Sequence, residues 1–199
     1  MDKKSDLSKK HLWTRQNIKS LDDIKNHGVF MAKREYIQEQ YRDIAPFYME
    51  LYKWFVHACQ SKIQVPQGVE FPIWCSVSRE GMLNPVEGTV CYELEVDADK
   101  VIYFDGKKWD SVLNHWYVPT SEEDLESYKQ RIQSLNLDVN TVSFIKGKYA
   151  NMYPLEKKKV IESWYNIFKI DKWDPYTTQA NIWEIRPDMI KNIIYPSDI

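Results

Sequence analysis

The stretch that decides the fold is His11-Leu12-Trp13-Thr14-Arg15-Gln16, followed by Ser20-Leu21-Asp22-Asp23-Ile24-Lys25-Asn26-His27-Gly28. Its first part is typical of a short strand. Its second part predicts a helix that opens on a capping box, Ser20 with Asp23, and ends at Gly28. Glycine suits that end because it accepts the left-handed conformation of a helix C-terminus. The chain therefore opens with a strand followed by a short capped helix.

A second stretch, near the other end of the sequence, predicts a partner for the opening strand. Gln179-Ala180-Asn181-Ile182-Trp183-Glu184-Ile185 predicts a strand that begins on two amides, and Pro187 begins a final turn. We expect this strand and the opening strand to lie side by side. Together they would form a polar cleft at the edge of a sheet.

The segments between these two strands predict an α+β protein. Apolar residues at spacings of three and four predict a helix from Ile44 to Cys59. Alternation predicts strands at Phe71–Ser78 and Val90–Val96, and further helices follow after Ser121 and from Pro154. Strands near both ends with helices clustered between them indicate one α+β domain over residues 11–199. Residues 1–10 are expected to be a disordered leader.

Composition bounds the function. The 199 residues carry a formal charge of -2, which provides no general attraction to nucleic acid or to a membrane surface. No apolar run is long enough to span a bilayer, so we expect a cytoplasmic protein without a membrane partner. Three cysteines without a C-x-x-C pair, and four histidines without ligand-like spacing, predict no metal. Cys75 has no recognisable base partner, which favours a buried thiol over a nucleophile.

Two groups of polar residues could contact a ligand. Thr14 and Gln16 share one face of the opening strand, and their side chains could hydrogen-bond a ribose or a carboxamide. Ser76 and Ser78 share a strand face with Trp74, an arrangement that suits a flat polar ligand. The alternative is that these are ordinary strand and capping residues.

The last strand supplies a third group. Gln179 and Asn181 lie on one face of it, and Glu184 lies on the other. Buried amides are costly unless their hydrogen bonds are made, so these two would contact a ligand, each other or the backbone.

Together these motifs resemble known families. Leu12-Trp13-Thr14, the helix ending at Gly28, Phe71-Pro72-Ile73-Trp74 and Gln179–Ile185 resemble a bacterial "LWT" family of unknown function. The same layout, with Leu94–Ile102 as two strands around an acidic turn, more distantly resembles the ADP-ribosyltransferase-like superfamily. That resemblance implies a split, mostly antiparallel sheet flanked by helices, with NAD bound between the halves of the sheet.

The resemblance also assigns roles by position. Thr14 would contact the nicotinamide ribose, Ser76 or Ser78 would lie in the serine-bearing middle strand, and Gln179 would stand where a catalytic Glu is expected. The segment Gln179-Ala180-Asn181 carries no carboxylate, although one is wanted to stabilise the cationic centre as nicotinamide leaves. Glu184 is the reserve candidate for that role.

Two functions therefore stay open. The first is an NAD-dependent transferase whose site is lined by Thr14, Gln16, Ser76 and Gln179 and whose acceptor is an unknown macromolecule. The second is a catalytically inactive module of the same fold that binds a nucleotide or a protein. A carboxylate of Glu184, Glu93 or Glu95 facing the opening strand would favour the enzyme.

Overall fold

The computed structural model describes residues 8–198 and divides the chain into two compact units. One unit consists of the chain up to Phe104 together with the stretch from Lys172 onward. The other consists of Asp105–Asp171. The two units subdivide the region for which the sequence predicts one domain.

The first unit is built on a six-stranded sheet with the strand order β4-β5-β2-β1-β3-β6. Its strands are β1 (Lys9–Asn17), β2 (Ile73–Ser76), β3 (Thr89–Asp97), β4 (Ile102–Asp105), β5 (Thr178–Ile182) and β6 (Ile190–Ile194). The pairings β1–β2, β1–β3, β2–β5 and β3–β6 are all antiparallel. With the helices α1 (Ser20–His27), α2 (Arg34–Tyr41) and α3 (Ala45–Cys59), this sheet confirms the α+β class.

The strand order corrects one expectation from the sequence. β5 does not lie beside β1, because β2 lies between them. The segment after Pro187 is also more than a turn: a single 3-10 turn, Pro187–Met189, leads into the edge strand β6. The predicted leader lies mostly outside the described residues, and of its last residues Lys9 and Lys10 belong to β1.

The first helix ends as predicted but begins differently. Gly28 has φ 72°, and its N–H donates to the carbonyl of Ile24, so the left-handed stop is confirmed. The capping box is wrong, because the N-cap is Lys19. The buried hydroxyl of Ser20 instead lies 2.7 Å from the hydroxyl of Tyr92 on β3 and ties the helix to the sheet.

Each sheet face carries its own buried cluster. Leu12, Tyr92 and Leu94 belong to a core cluster against which Leu21 and Ile24 of α1 pack. On the other face, the helix predicted from Ile44 to Cys59 is present as α3 and contributes Tyr52 and Phe55. Their rings lie 5.3 and 4.7 Å from the ring of Trp74 on β2, between centroids.

The backbone pairing between β1 and β2 is short. Nine residue pairs join β1 to β3, from Lys9–Asp97 to Asn17–Thr89, whereas a single pair, Trp13–Ser76, registers β1 against β2 in the described residues. Beside that pair, the hydroxyl of Thr14 donates to the carbonyl of Trp74 at 2.7 Å, and Nε2 of Gln16 donates to the same hydroxyl at 2.7 Å. The side chains of Thr14 and Gln16 thus add hydrogen bonds where the backbone pairing between β1 and β2 is sparse.

The second unit is helical. Its elements are α4 (Gly106–Leu113), α5 (Glu122–Ser134), α6 (Pro154–Ser163) and a 3-10 segment, Trp164–Phe168. The sequence signals for two helix starts are confirmed, since Ser121 accepts the N–H of Asp124 and Pro154 lies in the first turn of α6. The buried carboxylate of Glu156 pairs with Arg131, with Oε1 2.7 Å from Nη2.

The three cysteines are free and buried, which confirms the thiol predicted at Cys75. Burial raises the pKa of Cys59 to about 12 and of Cys91 to about 11, and it also raises the pKa of Cys75. A thiolate is the reactive form, so burial and a raised pKa both oppose reaction.

We therefore expect an alkylating reagent at pH 8 to leave the folded protein unmodified and to label all three thiols in denaturant. Because the folded pKa values lie above the unfolded ones, the same groups lower stability as the pH rises from about 9 towards 12. Mass spectrometry of the labelled protein tests the first point, and a denaturation series between pH 7 and 11 tests the second. Rapid labelling of a native thiol would contradict the assignment.

Candidate functional site

A row of polar side chains crosses four strands on one face of the sheet. Ser76 of β2 is paired with Gln179 of β5 on one side and with Trp13 of β1 on the other. Trp13 is paired in turn with Glu93 of β3. Directly opposed residues on neighbouring strands point to the same face, so these four side chains, all half-buried, form one strip. We call it the polar row.

Asn181 and Trp74 form the next pair along the same face. Asn181 is fully buried, and its Nδ2 donates to the carbonyl of Ile182 at 3.0 Å. Within the described residues, Oδ1 of Asn181 has no hydrogen-bond partner, and neither does the buried Nε1 of Trp13 or of Trp183. Unsatisfied buried polar atoms are rare, so this part of the sheet has spare hydrogen-bonding capacity.

The structure does not bring Thr14 and Gln16 to this face. Side chains alternate along a strand, so both lie on the side opposite Trp13, and Thr14 is buried. The hydroxyl of Thr14 is already committed to the carbonyl of Trp74 and to Gln16. Their placement serves the β1–β2 junction.

Ser76 and Ser78 hold two loops in place. The hydroxyl of Ser76 donates to the carbonyl of Gly81 at 2.8 Å. The hydroxyl of Ser78, which lies beyond the end of β2, donates to the carbonyl of Pro175 at 3.0 Å and accepts the N–H of Gly81. The loop after β2 is therefore fastened to the loop that leads into β5.

Gly81 lies where the two loops meet, and the contact leaves no room for a side chain at this position. A Cβ at this position would lie 2.9 Å from the backbone oxygen of Pro175 and 3.2 Å from Oγ of Ser78. We expect Gly81→Ala to lower the free energy of unfolding by about 1–3 kcal/mol, the range for overpacking. Chemical denaturation measures it. Gly68→Ala is the converse case, because nothing lies within 4 Å of its added Cβ but its φ of 88° strains an alanine, so its loss of stability reports backbone strain without a steric clash.

The three carboxylates that the sequence offers as candidates differ in their availability. Glu184 is bound by Arg186 through two contacts of 2.6 and 3.1 Å. Glu95 pairs with Lys191 at 3.1 Å. Glu93 forms no ion pair within residues 8–198 and belongs to the polar row. Of the three carboxylates that the sequence offers as candidates, it is the one that no cation holds within the described residues.

A cavity of about 390 Å³ opens where β1 begins, and we call it the β1 cavity. Its polar lining comes from Lys9, Lys10 and His11 of β1. Its aromatic lining comes from Tyr103 of β4 and from Trp173, which precedes β5. Leu12 and Val77 complete the lining. The cavity thus joins basic and aromatic side chains from the first strand and from the approach to β5.

The aromatic and the basic residues of the lining differ in the contacts that hold them. The rings of Tyr103 and Trp173 meet edge to face, with centroids 5.2 Å apart, and Trp173 is 54% exposed. Lys9 is bound by Asp97 at 2.6 Å, and this hydrogen bond raises the pKa of Lys9. Lys10 is half-buried and has no ion-pair partner in the part of the chain that the structure describes. One cation is therefore left for a bound anion.

Residues 8–198 contain neither a metal-ligand cluster nor a helix that could span a membrane. No group of three or more His, Cys, Asp or Glu residues there is arranged to hold a metal ion. Over the same residues, every helix is too short or too polar to cross a bilayer.

The fold and these two features define an α+β protein with a basic and aromatic cavity at the edge of its sheet junction. The chain belongs to the family described as a domain of unknown function (DUF3841), whose model matches residues 11–191. That match spans both compact units and confirms that the opening strand, β2 and β5 belong to one family domain of unknown function. No curated protein and no solved structure matches the chain.

Proposed function

We propose that this protein binds NAD or a related nucleotide in the β1 cavity. The observation that carries the proposal is the lining itself, in which Lys10 lacks a counter-ion and lies in the same cavity as the aromatic pair Tyr103 and Trp173. A nucleotide offers the matching chemistry, since it joins planar rings to anionic phosphates. Ligand pockets of a few hundred Å³ suit molecules of this size when one end stays in solvent.

Each part of the ligand has a counterpart in the lining. The exposed indole of Trp173 offers a flat face to a base or a nicotinamide ring, and aromatic stacking contributes about 1–3 kcal/mol per base. The ammonium group of Lys10 meets the phosphates, and Lys9 adds a second positive charge that Asp97 partly offsets. A ligand without phosphate would leave Lys10 unpaired.

The sheet geometry supports the distant resemblance to ADP-ribosyltransferase-like proteins. That resemblance implies a sheet split into halves with NAD between them. Here β4-β5-β2 and β1-β3-β6 are joined, within the described part of the chain, by the single pair Trp13–Ser76, and the β1 cavity opens next to it. Gln179, the position matched to the catalytic Glu, lies in the row that crosses this junction.

Binding without transfer is the function we favour. A carboxylate would stabilise the cationic centre as nicotinamide leaves, and the amide of Gln179 does this poorly. The reserve candidate Glu184 is held by Arg186. A site of action in the reducing cytoplasm belongs to the same proposal, because three buried, unpaired thiols suit that compartment.

Thermal unfolding with and without millimolar NAD tests the proposal. A ligand at a hundredfold excess over its dissociation constant stabilises the native state by about 2.7 kcal/mol, which raises Tm by about 5–10 °C for a chain of this length. Trp173→Ala and Lys10→Ala should each remove most of that rise. Tyr176→Ala is the matched control, because Tyr176 is as exposed as Trp173 and lies outside the cavity lining.

Absence of any rise with the wild-type protein would reject NAD at useful affinity and favour the protein-binding module. A rise that survives both Trp173→Ala and Lys10→Ala would show that NAD binds somewhere other than the β1 cavity.

One observation favours a second candidate, the transferase itself. Glu93 is a half-buried carboxylate in the polar row, on the same face as Gln179. In that reaction the bond between ribose C1′ and nicotinamide breaks, and an oxygen or nitrogen of the acceptor, or water, takes its place. Release of nicotinamide from NAD that Glu93→Gln abolishes would support transfer; binding without release would leave the protein as a binding module.

A further inference from the structure

A second cavity, of about 500 Å³, lies between α2 and the start of α3, and we call it the α2–α3 groove. Its cationic lining is Arg34, Arg42 and Lys53, and its carboxylates are Asp43 and Glu50. Its lining also includes apolar residues, of which Pro46 is exposed and Met49 is buried. The groove therefore combines an excess of positive charge with an apolar surface.

Arg42 holds an unusual backbone conformation at the rim of this groove. Its φ is 46° and its ψ is -122°, close to the first central residue of a type II′ turn. Glycine normally occupies that conformation because a Cβ there is strained. The residue ends α2, and its N–H donates to the carbonyl of Gln38. The turn needs this backbone geometry, and glycine would supply it without strain.

Polar interactions within the described residues do not explain why an arginine stands at position 42. It is exposed, and within the described residues its guanidinium makes no hydrogen bond and no ion pair. Arg34 is occupied by contrast, with Nη2 3.7 Å from Glu70 and Nη1 3.7 Å from the sulfur of Met49. Strained residues without an internal role concentrate where a protein contacts a ligand.

We propose that the α2–α3 groove binds a phosphate monoester, with its phosphoryl group on Arg42 and Lys53 and its organic group on the exposed Pro46. A planar guanidinium bonds two phosphate oxygens at once, which no lysine or glycine at position 42 would do. Glu50 in the same lining opposes an anion and limits the affinity. The site is separate from the β1 cavity and does not depend on the nucleotide proposal.

Phenyl phosphate is the probe, and isothermal calorimetry on the full chain is the measurement. We expect Arg42→Gly to weaken binding by about tenfold or more, the loss of one charge-assisted contact. The same variant should unfold at an equal or higher temperature, because glycine relieves the backbone strain. Glu50→Gln should bind more tightly, since it removes a repulsive charge.

Asn136→Gly is the matched control. Asn136 also has a positive φ, 56°, and is not among the residues that line the groove, so its replacement places glycine at a positive φ but leaves the lining intact. It should leave phenyl phosphate binding unchanged. Inorganic phosphate should bind more weakly than phenyl phosphate, because it has no organic group to contact Pro46.

Several results would overturn the proposal. One is that the wild-type chain fails to bind phenyl phosphate or binds inorganic phosphate with equal affinity. The others are that Arg42→Gly binds with unchanged affinity or that Glu50→Gln binds more weakly than the wild-type chain. A lower unfolding temperature for Arg42→Gly would reject the strain on which the choice of Arg42 rests, and Arg42→Ala then reports on the guanidinium with the original Cβ retained.

Discussion

Replacing Phe104 by alanine is expected to lower the free energy of unfolding by about 3–5 kcal/mol, the largest effect of any single change considered for this chain. Phe104 of β4 is fully buried. Its ring lies 5.3 Å from the ring of Phe55 and 5.3 Å from that of Trp74, between centroids. Removing the ring leaves a cavity in the cluster that fixes α3 to β2 and β4, and the neighbours can fill it only in part.

Denaturant titration measures this loss, and Tm should fall by at least about 6 °C. Leu83→Ala is the control, because Leu83 is a large apolar residue that is 61% exposed and should change stability by less than about 0.5 kcal/mol. A loss below about 1 kcal/mol for Phe104→Ala would mean that the three rings do not form one packed cluster.

Thr14→Val is expected to cost about 1–3 kcal/mol, although it changes the shape of the side chain very little. Valine keeps the two branches at Cβ but removes the hydroxyl. The carbonyl of Trp74 then loses its donor, and Nε2 of Gln16 loses its acceptor. Because a single backbone pair joins β1 to β2 in residues 8–198, the ladder there can compensate little for the lost hydrogen bonds.

Thr14→Ser separates the hydroxyl from the methyl group and should keep most of the stability that Thr14→Val loses. Equal losses in the two variants would assign the effect to packing and would contradict the hydrogen-bonded junction. Amide hydrogen exchange on Trp13 and Ser76 gives a second readout, since the junction should open more often in Thr14→Val.

Much of the fold follows from local sequence, and the sheet order does not. The alternation in β3 and the spacing in α3 are properties of neighbouring residues, which is why both elements were predictable. The order β5-β2-β1 depends on pairings such as Cys75–Ala180 between residues far apart in the chain. No local pattern says which strand lies beside which. β6 was missed because Pro187 and the adjacent turn masked a five-residue edge strand.

The faces of β1 show how the site could be partly predicted. Alternation correctly groups Thr14 with Gln16 and Trp13 with Arg15. The sequence predicts a ligand on the face of Thr14 and Gln16, but Leu12 lies on the same face and is buried. Leu12 was the signal that Thr14 points inward. Glu93 carried a similar signal, because it alternates with the buried Tyr92 and Leu94 and so belongs to the wetter face.

The lining of the β1 cavity could not be predicted in the same way. Lys10, Tyr103 and Trp173 come from three distant segments, and each is unremarkable in its own context. Their meeting depends on β4 lying beside β5, which places Tyr103 near the loop that carries Trp173. A composition rich in Trp and Tyr shows that such pairs are available, but not where they form.

The sheet order also sets when the chain can finish folding on the ribosome. β1 meets β3 once residue 97 has emerged, but one flank of β2 stays uncovered until β5 (Thr178–Ile182) is synthesised. During that interval Phe71-Pro72-Ile73-Trp74-Cys75 is an apolar strand with open backbone groups, the kind of edge that recruits other chains. A nascent chain that stalls before residue 178 should therefore depend on chaperones far more than the completed one does.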